Sequence, residues 1–452
     1  MKQKKRIGLR NLLLGSAAIM AAGLLVANDA NATNGYFAHA YSIKNKGMAG
    51  AGVAAPLDAM VPSINPAGLT EIGNRLDLGL TFFSPRREYN IGGSPSGFPG
   101  TSPLAPGTVE SDSEYFFIPS IGWSHQLNDR SAVGIAVYGN GGMNTDYAPV
   151  GGFGTFGEPA GFLTDGTTGV DLMQLFIAPT LATKLSEGHS LGVTPIIAAQ
   201  FFEARGLNAF GSAFGCPPGF CVSADDTKLT NNGHDSSLGF GMRVGYLGRI
   251  TEQVSIGFSY QSKIYMDEFD DYAGLFAEQG DFDIPANWTA GIAVKPIPEV
   301  TVAFDVQRIY YSGVKSIANT FMPAMGMAFM GDPDSELGDD NGAGFGWDDM
   351  TVFKVGLQWA RSDQWTYRFG YSYGDQPIDA SEVMFNILAP GVIEQHATFG
   401  LTYTFANTSE LDFSLTYALE EDVTGPNPFD PGQTITLTMN QWEVGLGYSW
   451  KF

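Results

Sequence analysis

The sequence predicts an all-β fold, a 14-stranded antiparallel transmembrane β-barrel with an N-terminal plug in its lumen. Three observations support this prediction: segments in which apolar and polar residues alternate, connections that are alternately short and long, and an export signal at the N-terminus. The composition agrees, because 58 Gly, 13% aromatic and only 16% charged residues are typical of a wall that faces lipid rather than of a water-soluble domain.

The alternation is clearest at the C-terminus. Over residues 441–452 one set of positions is apolar or aromatic, and the positions between them are small or polar. Successive side chains of a strand point to opposite faces, so one face would contact lipid and the other the lumen. The same pattern occurs at 238–246, 254–261, 365–374 and 411–419. The terminal Phe452 is typical of outer-membrane barrels and looks like the signal that the barrel-assembly machinery binds.

Connection lengths predict the strand count and the orientation. Outer-membrane barrels have short periplasmic turns and long external loops. Six short and seven long connections therefore join fourteen strands over residues 74–452. The short turns are 127–130, 185–190, 249–253, 295–299, 360–364 and 406–409, and the long connections are 85–112, 142–169, 206–235, 266–286, 312–349, 375–393 and 420–439.

Residues 1–32 have the features of a cleaved signal peptide. A basic start precedes an apolar run at 12–26, and Ala30 and Ala32 form a small-x-small cleavage site. The run is shorter than the ~20 residues that a spanning helix needs. An exported chain meets an oxidising compartment, so Cys216 and Cys221 are expected to form a small loop disulfide. Two cysteines without a histidine pair cannot build a structural zinc site.

Residues 33–73 lack alternation and are rich in Gly and Ala. They precede the first strand and therefore start at the periplasmic mouth of the barrel. We expect them to fold into the lumen as a plug, or hatch, that includes the motif Asn65, Pro66 and Ala67. The alternative is a disordered periplasmic tail, but such a tail would carry more charge.

Two segments and the strand count resemble the FadL-type family of outer-membrane transporters for long-chain fatty acids and aromatic hydrocarbons. The first segment contains Asn-Gly-Tyr-Phe at 34–37, Asp58, and Asn-Pro-Ala-Gly at 65–68. The second spans 347–405 and contains Trp-Thr-Tyr-Arg-Phe-Gly-Tyr at 365–371, Pro377, Pro390, His396, and Phe-Gly-Leu-Thr-Tyr at 399–403. The resemblance covers essentially the whole mature chain.

The resemblance implies a monomeric barrel, surrounded by outer-membrane lipid and lipopolysaccharide, that works by passive diffusion. Ligand would be captured in an apolar groove among the external loops, enter a pocket in the lumen, and leave sideways into the membrane after a movement of the hatch. The exit would be a gap in the wall beside a kinked third strand. Here that strand is 131–142, and Gly139, Gly141 and Gly142 would permit the kink; alternatively, these glycines only open a loop.

Apolar residues in the predicted loops are candidates for contact with a hydrophobic ligand, because burial contributes about 25 cal/mol per Å² of apolar surface. They are Phe210, Phe214, Leu275, Phe276 and, in a methionine-rich run at 321–330, Phe329. Methionine is flexible and polarizable, which suits ligands of varied shape. The alternative is that these residues pack one loop onto another.

Basic residues that face the lumen are candidates for binding a ligand carboxylate. By position in the family, Arg205 at the end of the fifth strand is the first candidate, and Lys354 on the tenth strand is the second. Arg243 and Arg368 also point inward by phase. The alternative for each is a structural network with the inward acids Glu203, Asp305, Asp412 and Glu443, because buried charges are normally paired.

The expected function is uptake of hydrophobic compounds, foremost long-chain fatty acids, across the outer membrane of a Gram-negative bacterium. Alkanes or aromatic hydrocarbons carried by the same architecture, and a general porin, are the alternatives. A net charge of −23 argues against nucleic acid as a partner. We expect no enzymatic activity, since none of the 5 His lies in a His-x-x-x-His or Gly-x-Ser-x-Gly context. The acidic segment 332–340 lacks calcium-loop spacing, and neither a metal nor another cofactor is expected.

Overall fold

The computed structural model describes residues 34–99, 101–148, 167–211 and 222–452. The expected signal peptide, Phe214, Cys216 and Cys221 lie outside the described residues. Within those ranges, no helix has the length and apolar character needed to cross a bilayer. The strands are β1 Arg75–Gly93, β2 Gly107–Glu110, β3 Phe116–Gln126, β4 Ser131–Asn144, β5 Gly169–Ser186, β6 His189–Arg205, β7 Asp235–Arg249, β8 Val254–Gln261, β9 Tyr265–Met266, β10 Asn287–Ile297, β11 Val300–Ile309, β12 Met350–Ala360, β13 Trp365–Gly374, β14 Gln395–Thr404, β15 Glu410–Pro426 and β16 Gln433–Lys451.

The strands form one antiparallel sheet that closes on itself. Strands that follow each other in the chain pair side by side, and β16 returns to pair with β1 from Arg75↔Lys451 to Gly93↔Gln433. The short strands β2 and β9 add only to β1 and β7, so the remaining 14 strands make the barrel. The predicted fold class is confirmed.

Side chains alternate across the wall as the sequence predicts. On β7, for example, Phe240 is 66% exposed and Val244 41% exposed, whereas Arg243 between them is buried. Apolar side chains on the outer face contact lipid, and small or polar ones line the lumen. The lipid-facing band is therefore built by residues that a soluble protein would bury.

The strands extend further above the membrane than we predicted. Residues 85–112 and 420–439 were expected to be loops, but β1 continues to Gly93 and stays paired with β16. Tyr89 and Ile91 still point inward and are buried, while Glu88 and Asn90 face outward. The outward residues are polar at this level because they face water and not lipid. The hydrogen-bond ladder between β1 and β16 therefore extends beyond the part of β1 whose outward residues are apolar.

Short helices occur only in the N-terminal segment and the external loops of the described chain. One group precedes β1, and the others lie between strands on the loop side. They are Ile43–Lys46, Val61–Ser63, Pro66–Glu71, Asn208–Phe210, Asp226–Lys228, Asp270–Tyr272, Ala277–Gly280, Tyr311–Gly313, Lys315–Ala318, Ala324–Phe329, Pro333–Ser335, Ala380–Glu382 and Phe385–Ile387.

Residues 34–73, called here the N-terminal segment, lie inside the barrel. The backbone N–H groups of Gly52 and Val53 donate to the Asp305 carboxylate on β11, at 2.7 and 2.9 Å. On the opposite side, the Ala59 N–H donates to Asp77 on β1 at 2.7 Å. The segment thus satisfies its backbone donors against inward side chains of distant strands, as a buried irregular segment must.

Wall glycines make room for this segment. A Cβ added to Gly257 on β8 would lie 2.1 Å from the carbonyl oxygen of Val53, and one added to Gly192 on β6 would lie 2.3 Å from the carbonyl carbon of Pro66. Any side chain at these two positions would push the segment away from the wall. The small inward residues of the strands therefore allow the lumen to be filled with main chain.

Candidate functional site

Paired charges fix the N-terminal segment to one side of the lumen. Lys46 forms an ion pair with Glu443 on β16, and Lys44 forms one with Glu410 on β15. Glu410 also meets Arg75 Nη2 at 3.1 Å and Lys451 Nζ at 2.5 Å. We call Lys44, Lys46, Arg75, Glu410 and Glu443 the lumenal ion cluster. Because breaking a buried pair leaves an uncompensated charge, this cluster holds the segment against β15 and β16.

The wall of the barrel is interrupted between β3 and β4. Their ladder runs from Gln126↔Ala132 only as far as Ser120↔Tyr138. Beyond that point, residues 116–119 of β3 pair only with β1, and residues 141–144 of β4 pair with β5. The two strands therefore separate, and we call the opening between them the β3–β4 window.

The window forms because β4 bends into the lumen at its glycines. The register with β5 shifts between Gly139 and Gly141, which marks a β-bulge. Alternation of burial ends there, and every residue from Asn140 to Asn144 is buried. The N-terminal segment supplies a partner for the bent strand, since Phe37 bridges Gly141 and the Ala38 N–H donates to the Asn140 carbonyl at 2.9 Å.

The β3–β4 window is closed above by the external chains and opens inward onto a small cavity. Above it, the external chains meet again where the Asp112 N–H donates to the Asp146 carbonyl at 2.8 Å. Behind it lies a small cavity whose walls include Ile118 of β3, Tyr138 of β4 and Tyr41 of the N-terminal segment. The rings of Tyr41 and Tyr138 are 4.7 Å apart. An opening in the wall, with an aromatic pair on its inner side, is a suitable exit for a ligand that partitions into lipid.

A polar pocket lies on the other side of Tyr41. It has a volume of about 30 Å³, and we call it the Arg243 pocket. Arg243 Nη1 donates to the Pro62 carbonyl at 3.0 Å and to the Tyr138 hydroxyl at 3.2 Å. Lys354 also lines this pocket, and its Nζ atom donates to the His39 carbonyl at 3.1 Å. Two of the four predicted basic residues are thus brought together.

The other two predicted basic residues lie elsewhere. Arg205 ends β6 at the external rim, 3.8 Å from Asp146 and 4.0 Å from Glu203, and its side chain is 36% exposed. Arg368 lies deeper in the lumen and donates to Gln358 at 2.8 Å and to Thr402 at 2.7 Å. Neither of them lines the Arg243 pocket.

The apolar loop residues fall into two groups. Phe210, Leu275 and Phe276 are buried in an aromatic core that caps the barrel, where Phe276 and Phe282 have ring centroids 4.7 Å apart. Phe329 is 49% exposed and belongs to a second group on the outer surface. Loop sequence has no fixed periodicity, so burial within a loop could not be read from spacing.

The second group is an exposed apolar patch on the loop between β11 and β12. The helix Ala324–Phe329 presents Met327 and Phe329, and Met330 follows it with 75% of its surface exposed. The Phe329 ring packs edge-on against Phe429 at 5.9 Å, which anchors the patch to the loop between β15 and β16. Exposed apolar patches mark contact sites, and methionine adapts to varied shapes.

A cavity larger than the two described above is not an apolar site. It has a volume of about 350 Å³ and lies at the periplasmic ends of β7, β8 and β10, next to Leu57 of the N-terminal segment. Charged residues such as Glu71, Arg249 and Lys295 line it. This vestibule suits water and ions better than a hydrophobic ligand.

The sequence analysis did not identify four residues of the site, Tyr41, Tyr138, Lys44 and Lys46. Tyr41, Lys44 and Lys46 belong to the non-alternating segment, where no periodicity indicated which side chains meet the wall. Tyr138 did carry a signal, because it immediately precedes the glycine run of β4. Its pairing with Tyr41 needed the fold, since 97 positions separate them in the sequence.

A loop carboxylate gives the external cap a pH-dependent element. Burial and the neighbouring Asp283 raise the pKa of Asp281 to about 7. Asp283 is held by Lys263 Nζ at 2.7 Å, and the Asp281 carbonyl accepts from Ser316 Oγ at 2.5 Å. The pKa of Asp281 in the folded state is above its unfolded value of about 3.9. The stability that the protonated Asp281 carboxyl contributes is therefore fully present below a pH of about 3.9 and is lost as the pH rises towards 7.

We therefore expect residues 267–286 to be better protected from amide hydrogen exchange at pH 5 than at pH 8. Protection factors, which already correct for intrinsic exchange rates, are the measurement. In Asp281→Asn the difference between the two pH values should largely disappear, because the titrating group is gone. Equal protection at both pH values in the unaltered protein would contradict this assignment.

Comparisons with known proteins agree with this architecture. Residues 23–452 match the family described as outer membrane protein transport protein (OMPP1/FadL/TodX). A long-chain fatty acid transport protein of Escherichia coli (strain K12) is 22% identical over 475 residues, covering 97% of this chain and 99% of that protein. Its counterpart in Shigella flexneri is 23% identical with the same coverage.

Solved structures share the fold at low sequence identity. The toluene transporter TodX of P. putida has a TM-score of 0.64 and 18% identity, with 93% of this chain and 99% of that chain covered. A FadL homologue of Pseudomonas aeruginosa has a TM-score of 0.67 and 17% identity, with 92% and 100% covered. These similarities establish the barrel architecture.

Proposed function

Because this chain belongs to the OMPP1/FadL/TodX family of outer-membrane transport proteins, we propose that it takes up hydrophobic compounds, foremost long-chain fatty acids, by passive diffusion. The family consists of transport proteins and not of enzymes, and its members lie in the outer membrane. Relatives that match along nearly their whole length are named long-chain fatty acid transport proteins, which favours fatty acids as the cargo.

The observation that carries the proposal is the β3–β4 window. A barrel that only conducted ions or small solutes would need a water-filled lumen. Here the lumen holds the N-terminal segment, and the wall opens sideways at the level of Gly139. A lateral opening delivers a hydrophobic molecule into lipid without passing it through the polar vestibule on the periplasmic side.

The proposed route has three stages. The apolar patch at Met327, Phe329 and Met330 captures the ligand from the medium, because burying its apolar surface is worth about 25 cal/mol per Å². The ligand then passes the aromatic cap and enters the space beside Tyr41. It leaves through the β3–β4 window after the N-terminal segment, acting as the hatch, has shifted.

An aromatic hydrocarbon is the alternative cargo, because solved relatives include toluene transporters. The rings of Tyr36 and Tyr311 in the cap have centroids 5.5 Å apart, and Tyr311 meets Trp347 edge-on at 5.1 Å. Such a surface accommodates flat rings as well as alkyl chains. Whether the protein recognises a carboxylate headgroup therefore decides between fatty acids and aromatic hydrocarbons as the cargo.

Uptake by cells that lack their own fatty acid transporter tests the function. We expect cells that produce this protein to accumulate labelled oleate faster than cells with an empty vector, and unlabelled oleate to compete. Purified protein in a planar bilayer should show no steady ion current, because the lumen is filled. Accumulation no faster than the vector control, or large steady currents, would contradict the proposal and favour a porin.

A further inference from the structure

Two histidines meet where the N-terminal segment contacts the wall. His39 belongs to the segment and His396 to β14, and their rings are nearly parallel at 13°, with centroids 5.2 Å apart. Each residue is buried and only 1% exposed. We propose that this histidine pair is a proton-binding site that controls how firmly the N-terminal segment is held in the lumen. The inference goes beyond the proposed function, because it holds whatever cargo the barrel carries.

His39 has hydrogen-bonding capacity that the described chain does not use. Neither of its ring nitrogens has a hydrogen-bond partner among the described residues. Its Nδ1 atom lies 3.3 Å from Oε1 of Glu443, an oxygen that also lacks such a partner there. In a neutral imidazole one nitrogen carries a lone pair, so His39 retains an atom that can take up a proton.

His396 has polar partners that suit an uncharged ring. Its Nδ1 atom lies 3.1 Å from Ser372 Oγ on β13, and the Gln441 amide on β16 donates to its Nε2 atom at 3.4 Å. Within the described chain, no carboxylate oxygen lies within 4.0 Å of this ring, whereas His39 has Glu443. A proton on Nε2 would therefore break the contact with Gln441 and leave a buried charge without an acid.

The charges that face the histidine pair are already balanced. Lys46 of the segment forms its ion pair with Glu443 on β16. Lys354 on β12 stands opposite Asp305 on β11 in the strand register. Protonating both histidines would add two positive charges on rings only 5.2 Å apart, with no further acid to balance them. Like charges repel more strongly in a buried site than in water, so the doubly protonated pair should separate.

Separation of the pair means that the segment leaves the wall. His396 is fixed in the ladders that join β14 to β13 and β15, whereas His39 moves with the N-terminal segment. Rings that are released into water take up protons below a pH of about 6.5, and the stacked rings resist this. The released state therefore binds more protons than the attached state. Attachment is complete above that pH and weakens as the pH falls.

Amide hydrogen exchange of the full chain in lipid nanodiscs tests the proposal. Protection factors of residues 38–50 are compared at pH 7.5 and pH 5.0. We expect protection to fall about thirtyfold or more, since each ring that takes up a proton only on release contributes a factor of about 30. Strand β5, which takes no part in the histidine pair, should keep its protection and reports that the barrel stays folded.

Glutamine at both positions keeps polar side chains and removes the titrating rings. His396→Gln should lose most of the pH effect, and the double variant His39→Gln/His396→Gln should show equal protection at both pH values. His125→Gln is the matched control, because His125 is an outward wall residue stacked on Trp123 at 5.9 Å, and it should retain the full effect.

Equal protection of residues 38–50 at both pH values in the unaltered protein would overturn the proposal. A pH effect that persists in full in the double variant would overturn it as well. The measurement involves no cargo, so a failure of oleate uptake would contradict the proposed function and leave this result unaffected.

Discussion

Gly139→Val should reduce oleate uptake to nearly the level of cells without the protein, while the barrel stays folded. A Cβ at this position would lie 3.4 Å from Ile118 Cγ2 and 3.8 Å from the Gln174 carbonyl oxygen, so the backbone accepts it. The branched side chain would extend against β3 and fill the β3–β4 window. Uptake of labelled oleate measures the effect, and heat-modifiable gel mobility reports on folding.

Gly139→Ala should give an intermediate rate, because its single methyl group occupies less of the window. Gly313→Val places the same substitution in an external loop with no atom within 4 Å of the added Cβ, and uptake should not change. Gly141 is less suitable for this test, since its Cβ would lie 1.8 Å from the Tyr36 carbonyl oxygen and would displace the N-terminal segment. Normal uptake by a folded Gly139→Val protein would argue against exit through the window.

Lys46→Ala should open the barrel to ions. Glu443 is buried, and apart from Lys46 its basic neighbour within 4.0 Å in the described chain is His39, at 3.3 Å. Removing one partner of a buried pair costs about 3–5 kcal/mol because the other charge is left unpaired. The N-terminal segment should therefore leave β16 part of the time, and planar bilayers containing the variant should show current steps.

Lys44→Ala provides the comparison within the same short helix. Its partner Glu410 keeps Arg75 and Lys451, so the loss of Lys44 should leave the segment in place. We expect far fewer current steps for Lys44→Ala than for Lys46→Ala. Bilayers that remain as silent with Lys46→Ala as with the unaltered protein would show that this ion pair does not hold the segment.

The alternation of the sequence predicted the barrel because lipid selects side chains by position. Residues such as Phe240 and Val244 must be apolar, and the residues between them need only fit the lumen. That rule ends where the lipid ends, so the upper part of β1 was interpreted as loop. Its outward Glu88 and Asn90 contact water and carry no lipid-facing pattern.

The candidate site was predictable only in part, because its contacts join positions far apart in the chain. The glycines of β4 indicated the kink, since a strand bends where side chains are absent. Inward phase placed Arg243 and Lys354 in the lumen. Which partners they would find depended on the path of the N-terminal segment, whose Gly52 and Val53 N–H groups donate to the Oδ2 atom of Asp305.

The main-chain contact between Phe37 and Gly141 has a consequence for the permeability of the cell envelope. The Gly142 N–H donates to the Tyr36 carbonyl at 3.1 Å, so the beginning of the N-terminal segment is continuous with the bent end of β4. A displacement of either one must alter the other. On the proposed route, one movement would therefore change both the N-terminal segment and the β3–β4 window, while Lys44 and Lys46 would still hold the rest of the segment across the lumen against ions.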